Sequence, residues 1–170
     1  MPRYIENYNE CTDPVSGDYL WIVDASAGST DKDRKVDIAK FGIVSATTSW
    51  TPVLLFGSGN TGMAGTFVGS VSRVGKLVTV LCSIMLTAKG SSTGNAKITG
   101  LPFAAAVNTP IMCRWQNMTS SLVNVAGLAQ TNSEMPILGI TGASTDLNSI
   151  SDAVFSNTSA LVFSGIYIAA

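Results

Sequence analysis

Between residues 77 and 87 apolar and polar positions alternate almost without a break. Val78, Val80, Cys82, Ile84 and Leu86 fall on one side of an extended chain; Thr79, Ser83 and Thr87 share the other with Leu77, Leu81 and Met85. Successive side chains of a strand point to opposite faces, so this pattern predicts a strand with one wholly apolar and one mixed face, as in a central strand covered on both sides. Gly90 and Gly94 bracket the residues that follow, and alternation resumes at 96–100. Residues 77–103 therefore read as a long strand, a tight turn whose glycines supply positive φ, and a returning strand ended by Gly100 and Pro102.

The same reading extends to both sides of this stretch. Residues 18–24, DYLWIVD, form a strand signal bounded by glycines, and residues 35–38 offer a second strand to pair with it. A short helix over 31–41 fits the spacing about as well, but the reading favoured is a strand that ends in a helical turn at 39–41. Residues 43–49 are small and hydroxyl-rich and read as a connector. Strands are then expected at 52–56, 66–74 (weakened by Gly69), 111–118, 122–128, 136–141 and 161–168, with a glycine-rich loop at 57–65. No amphipathic helix interrupts them and no internal repeat is visible. The expected class is all-β: a β-sandwich of jelly-roll type over residues 46–170, preceded by a small β-hairpin and arm over residues 1–45.

Charge sharpens this division. Only 12% of the 170 residues are charged, about half the usual share, and they are unevenly placed. Eight of the eleven carboxylates lie in the first 37 residues, whereas residues 98–170 hold only Arg114, Glu134, Asp146 and Asp152. A domain so poor in charge keeps its surface wet through Ser, Thr and Asn, or hides part of it in subunit contacts; a cyclic trimer would cover one sandwich face or edge in this way. With a net charge of −1 there is no basic field for nucleic acid. The N-terminus lacks the apolar core of a secretory signal, and no apolar run reaches the length of a membrane span. The expectation is a soluble protein made in a cytoplasm, without membrane insertion. Cys11, Cys82 and Cys113 are odd in number and far apart, unlike a disulfide framework or a zinc site.

Candidate chemistry is sparse. Gly57, Gly59 and Gly62 match the dinucleotide fingerprint, but it requires a following helix and an acid about 20 residues on; here a β-branched, glycine-broken stretch follows, so the segment reads as a loop. Histidine is absent, which removes the commonest general base and metal ligand. Glycoside hydrolysis needs two facing carboxylates, and in the sandwich only Glu134, Asp146 and Asp152 are available, in polar loops where turn roles dominate. Asp31 and Asp33 lack the remainder of a calcium loop. No enzyme activity, cofactor or metal is expected. Trp21 and Trp115 lie within strand patterns and read as core or subunit contacts, and Trp50, beside Pro52 at the module boundary, as a packing anchor between the two parts.

Several segments resemble the C-terminal domain of bacteriophage tail and receptor-binding proteins. Gly65-Thr66-Phe67 with Arg73 to Val78 is similar to its opening strand. Lys89-Gly90-Ser91-Ser92-Thr93-Gly94, followed by Ile98-Thr99-Gly100-Leu101-Pro102-Phe103, carries the most specific likeness. Ser164-Gly165-Ile166-Tyr167 is similar to its closing strand, and residues 18–41 resemble a small module near the N-termini of phage fibres. The resemblance implies a homotrimeric virion appendage, a short fibre or tail-fibre-like protein, docked to other virion proteins through its N-terminal module. Tyr4, Tyr8, Tyr19, Trp21 and Phe41 are the docking candidates. Host-surface glycan would then meet the less patterned loops, with Asn60, Asn117, Thr119, Asp146 and Asn148 as candidates. A capsid decoration or head fibre without a host ligand, and a polysaccharide-degrading appendage, are the alternatives.

Overall fold

The computed structural model describes residues 19–23, 33–37, 47–142 and 146–170. The chain divides into two compact units, Met1–Ser45 and Ala46–Ala170. In the first, β1 (Tyr19–Val23) and β2 (Asp33–Asp37) pair antiparallel, with Tyr19 opposite Asp37 and Trp21 opposite Lys35. Residues 33–37 are thus strand rather than helix.

The second unit holds β3 (Thr47–Trp50), β4 (Val53–Phe56), β5 (Ala64–Val74), β6 (Leu77–Ala88), β7 (Ala96–Thr99), β8 (Thr109–Gln116), β9 (Leu122–Ala129), β10 (Glu134–Thr141), β11 (Asn148–Ser149) and β12 (Ala160–Ile168), with one 3-10 turn at Asp152–Val154. The ten strands form one antiparallel sheet in the order β3-β5-β6-β12-β8-β9-β10-β7-β4, with β11 on β10. Its two outermost strands, β3 and β4, are joined by Thr51-Pro52 alone. Two residues span at most about 11 Å from the last Cα of one strand to the first of the next, so the sheet must roll until its ends nearly meet. The rolled sheet is a sandwich around one core. Leu54 and Phe56 of β4, Ile98 of β7, Ile84 of β6 and Phe163 of β12 are all fully buried in the same cluster, each worth about 1.5–3 kcal/mol of apolar burial. The Phe56 ring meets Phe155 edge-on, with centroids 4.9 Å apart.

The strands fall close to where alternation placed them, but their partners do not. Residues 77–103 are not a hairpin: β6 pairs with β5 and β12, while β7 pairs with β4 and β10. Seven residues separate β6 from β7, enough to carry the chain over the end of the core into the other half of the roll. Residues 43–49 are not wholly a connector either, since β3 begins at Thr47 and pairs with β5. Its register sets Trp50 opposite Gly69, and a Cβ on Gly69 would collide with the indole. The glycine that seemed to weaken β5 is what admits the tryptophan. Finally, among the described residues β6 is covered on one side only. Its inner row is buried throughout, whereas Leu81 and Met85 on the outer row are 46% and 52% exposed.

Antiparallel pairing sorts the connections of the sandwich onto two ends. Residues 57–63, 89–95, 117–121 and 146–159 gather at one; residues 75–76, 100–108 and 130–133 gather at the other. The chain enters the sandwich toward the second end, where Thr47 pairs with Ser72. It also finishes there, where the Ala169 amide donates to the Lys76 carbonyl at 2.8 Å.

Candidate functional site

The loop-rich end is held by hydrogen bonds between segments far apart in sequence. The Lys89 to Gly94 motif lies at its centre. Gly90 and Gly94 have φ of +79° and +117°, conformations that side chains other than glycine's resist. At Gly90 a Cβ would also strike the backbone of residues 61–63. The Ser91 amide donates to the Thr61 carbonyl, and Ser92 Oγ accepts from the Thr61 amide, both at 2.9 Å. The Gly57 amide donates to the Asn95 carbonyl. The glycine-rich segment over 57–62 is therefore a loop stitched to the β6–β7 crossover, and β5, not a helix, follows it. Two of the three glycines of the nucleotide-like pattern, Gly57 and Gly62, serve positive-φ turns.

Asp152 ties in a third segment. Its Oδ1 accepts from the Gly94 amide at 2.9 Å, its Oδ2 pairs with Lys89 Nζ at 2.9 Å, and its own amide donates to the Gly94 carbonyl. The Gly94 N–H, and then the Lys89 ammonium, hold its carboxyl below the usual carboxylate range. The Lys89 amide donates to Asn157 Oδ1, and its ammonium stands over the Phe56 ring at 5.8 Å. A fourth segment joins through Asn117, at φ +57°. Its carbonyl accepts from Ser156 Oγ and Ser159 Oγ, and its Nδ2 donates to the Thr158 carbonyl. Thr119 Oγ1 donates to the Ala153 carbonyl at 2.7 Å.

All five host-binding candidates lie on this end. Asn60 is exposed in the first loop, Asn117 and Thr119 stand together on the 153–159 segment, and Asp146 and Asn148 line a hollow of about 170 Å³ with Ser149, Ser151 and Thr141. Asn117 and Thr119 use their side chains to bind backbone carbonyls, so they build the surface rather than merely decorate it. Sequence reading missed Lys89, Asp152, Ser156 and Ser159 as organisers of this end. Their partners are distant in the chain or bonded through the backbone, and no local pattern marks them.

Glu134 begins β10 at the opposite end, paired with Lys97 Nζ at 2.8 Å. Glu134 and Asp152 thus do not face each other. Among the described residues no group of three or more His, Cys, Asp and Glu side chains is placed to hold a metal ion, and no helix is long and apolar enough to cross a membrane. Cys82 and Cys113 flank Phe163 from the two neighbouring strands, about 10 Å apart by strand spacing and too far for a disulfide. Burial pushes both thiols up to about 12. Trp115 lies in β8, and the Trp50 indole N–H, buried against Gly69, has no hydrogen-bond partner among the described residues. Of the docking candidates, Tyr19 and Trp21 lie in β1; Tyr4, Tyr8 and Phe41 lie outside the described residues, as does Cys11.

No family model matches the chain, and no curated protein matches it. Among solved structures, the crystal structure of the Dettilon tailspike protein is similar, with a TM-score of 0.58 and 20% identity over 73% of this chain and 24% of that one. The chain matches about a quarter of that protein's length, and the likeness is one of fold: the all-β architecture described above also occurs within a tailspike.

Proposed function

We propose that this chain is a structural component of a bacteriophage virion, a homotrimeric tail-fibre-like appendage. Residues 1–45 dock it to other virion proteins, and the loop-rich end of the sandwich contacts host-surface glycan. The observation that carries this reading is the geometry of the two ends. Four loop segments converge on a rim whose exposed residues, among them Asn60, Thr93, Asn148 and Asn157, bear amides and hydroxyls. The entry of the chain lies toward the other end. The charges on this end are few, and Lys89 and Asp152 neutralise each other. Such a surface suits a neutral polyhydroxylated ligand, bound by many hydrogen bonds and shallow contacts. The shared fold with a tailspike supports the same reading.

The appendage acts by binding rather than catalysis. A glycosidase needs two carboxylates flanking one bond; Glu134 sits at the opposite end from Asp146 and Asp152, and Asp152 has one oxygen on the Gly94 amide and the other on Lys89. The test is competition: the purified chain should occupy host cells and block adsorption of the phage. A chain that leaves adsorption unchanged while decorating the capsid would overturn host binding in favour of a decoration role. Reducing-sugar release from host envelope would overturn the non-catalytic reading.

A further inference from the structure

The outer face of the sheet carries a second pattern, visible only once the register is known. One row crosses six strands from β5 to β10 as Ser70, Leu81, Ser164, Met112, Ala126 and Leu138, each directly opposite the next. Small and large residues alternate along the whole row. Over β5, β6 and β12 the neighbouring row reverses the phase as Val68, Ser83 and Val162, and the row beyond it returns as Thr66, Met85 and Ala160. Over these three rows the face is a checkerboard of protruding apolar side chains and small-residue holes; the two rows nearer the other end, Ser72, Thr79 and Ile166, then Val74, Leu77 and Ile168, do not alternate. The knobs stand in solvent: Met112 is 82% exposed, Val68 56% and Leu81 46%. Hollows flank Met112, one lined by Val162 and Ser164, the other by Asn124 and Ala126. The one charge in these three rows, Arg114, stands on β8 beside Val162.

We propose that the outer face of β5, β6, β12 and β8 is the surface by which one copy of this chain packs on another, the knobs of each copy seating in the holes of its neighbour. Alternating large and small residues is the condition for facing layers to interdigitate, and a surface that carries both in register complements itself. Four strands about 4.8 Å apart and nine residues at about 3.4 Å each give a footprint of roughly 600 Å². That is most of the roughly 800 Å² per partner of a stable interface, and the face carries Val68, Leu77, Leu81, Met85, Met112 and Ile166 among the exposed large apolar side chains. With Arg114 the single charge in the patterned rows, the face offers a charged partner little to pair with and favours an apolar surface of the same kind. The inference deepens the homotrimer proposed above and rests on that reading for the number of copies: contacts about a threefold axis are heterologous, so the β5 side of this face on one copy meets the β8 side of the next.

Sedimentation velocity on the full chain at micromolar concentration tests it. The wild type should assemble, and Leu81→Glu or Met112→Glu should weaken assembly at least ~100-fold, the loss of one or two well-buried contacts, with thermal unfolding of the monomer little changed. Ser164→Met is the discriminating variant. It makes the face more apolar yet fills a hole, so assembly should weaken; strengthening would mean unspecific adhesion and overturn the proposal. A monomeric wild type, or assembly that survives both glutamates, overturns it as well. Binding of single copies to host cells, measured separately, reports on the loop end, so failure of this face and failure of the appendage reading give different results.

Discussion

The two faces of β6 are made of similar material and meet opposite fates. Inward, Val78, Val80, Cys82, Ile84 and Leu86 are buried in the core; outward, Leu77, Leu81 and Met85 remain about half exposed. Alternation reports that a residue is apolar and on a given side, but not whether this chain or another one covers it. The inner row interlocks with strands from the far half of the roll and stabilises the fold. The outer row has its own order, large against small across six strands, which the fold of one copy does not use.

Substitutions separate the two faces by the size and kind of their effects. Phe163→Ala opens a cavity beside Gly127 in the core and should cost about 3–5 kcal/mol in denaturant unfolding. Gly69→Ala forces a Cβ into the Trp50 indole and should cost about 1–3 kcal/mol in the same measurement, enough to detach β3 before the rest of the sheet. Leu81→Ala, on the outer face, should change the unfolding of dilute monomer by less than about 0.5 kcal/mol while weakening assembly. A Leu81→Ala monomer as unstable as the Phe163→Ala protein would erase the distinction between the faces.

Smaller effects probe the loop end and the thiols. Asp152→Asn removes the Lys89 pair and should speed hydrogen exchange at the Gly94 amide with little change in global stability. The carboxyl of Asp152 is held below its ordinary value, so its stabilising contribution is full above the unfolded carboxylate pKa and is lost as pH falls through the folded one. Protection at Gly94 in the wild type should therefore persist at neutral pH and fall in acid, whereas in Asp152→Asn it should not show that step. Cys82 and Cys113, pushed up to about 12 by burial, should react with a thiol reagent at mildly alkaline pH only after denaturation. Rapid labelling of both in the folded protein would contradict the packing around Phe163.

Most strands were legible because two-residue alternation is a local signal, strongest in β6 and clear in β12. The pairing was not. Nothing in residues 77–103 shows that β6 and β7 belong to different halves of a rolled sheet, and a crossover of seven residues reads like a loose turn. Strand β3 escaped because three of its four residues are hydroxyl-bearing and its stabilising contact, Trp50 on Gly69, lies 19 positions away. The five candidates were legible only as residues of polar, unpatterned loops; that these loops share one end follows from the antiparallel topology, which the sequence did not show. What holds that end together was illegible: Lys89 and Asp152 are 63 residues apart, and Asn117 is gripped by Ser156 and Ser159 from the far side of β9, β10 and β11.

The claim at the centre is that ligand contact belongs to the loop end and self-contact to the outer face. Hydrogen–deuterium exchange of the full chain with and without host-envelope glycan tests it most directly. Added glycan should protect residues 57–63, 89–95 and 146–158 and leave β5, β6, β12 and β8 unchanged. Protection on those four strands instead, or no protection at the loops at saturating glycan, would contradict it.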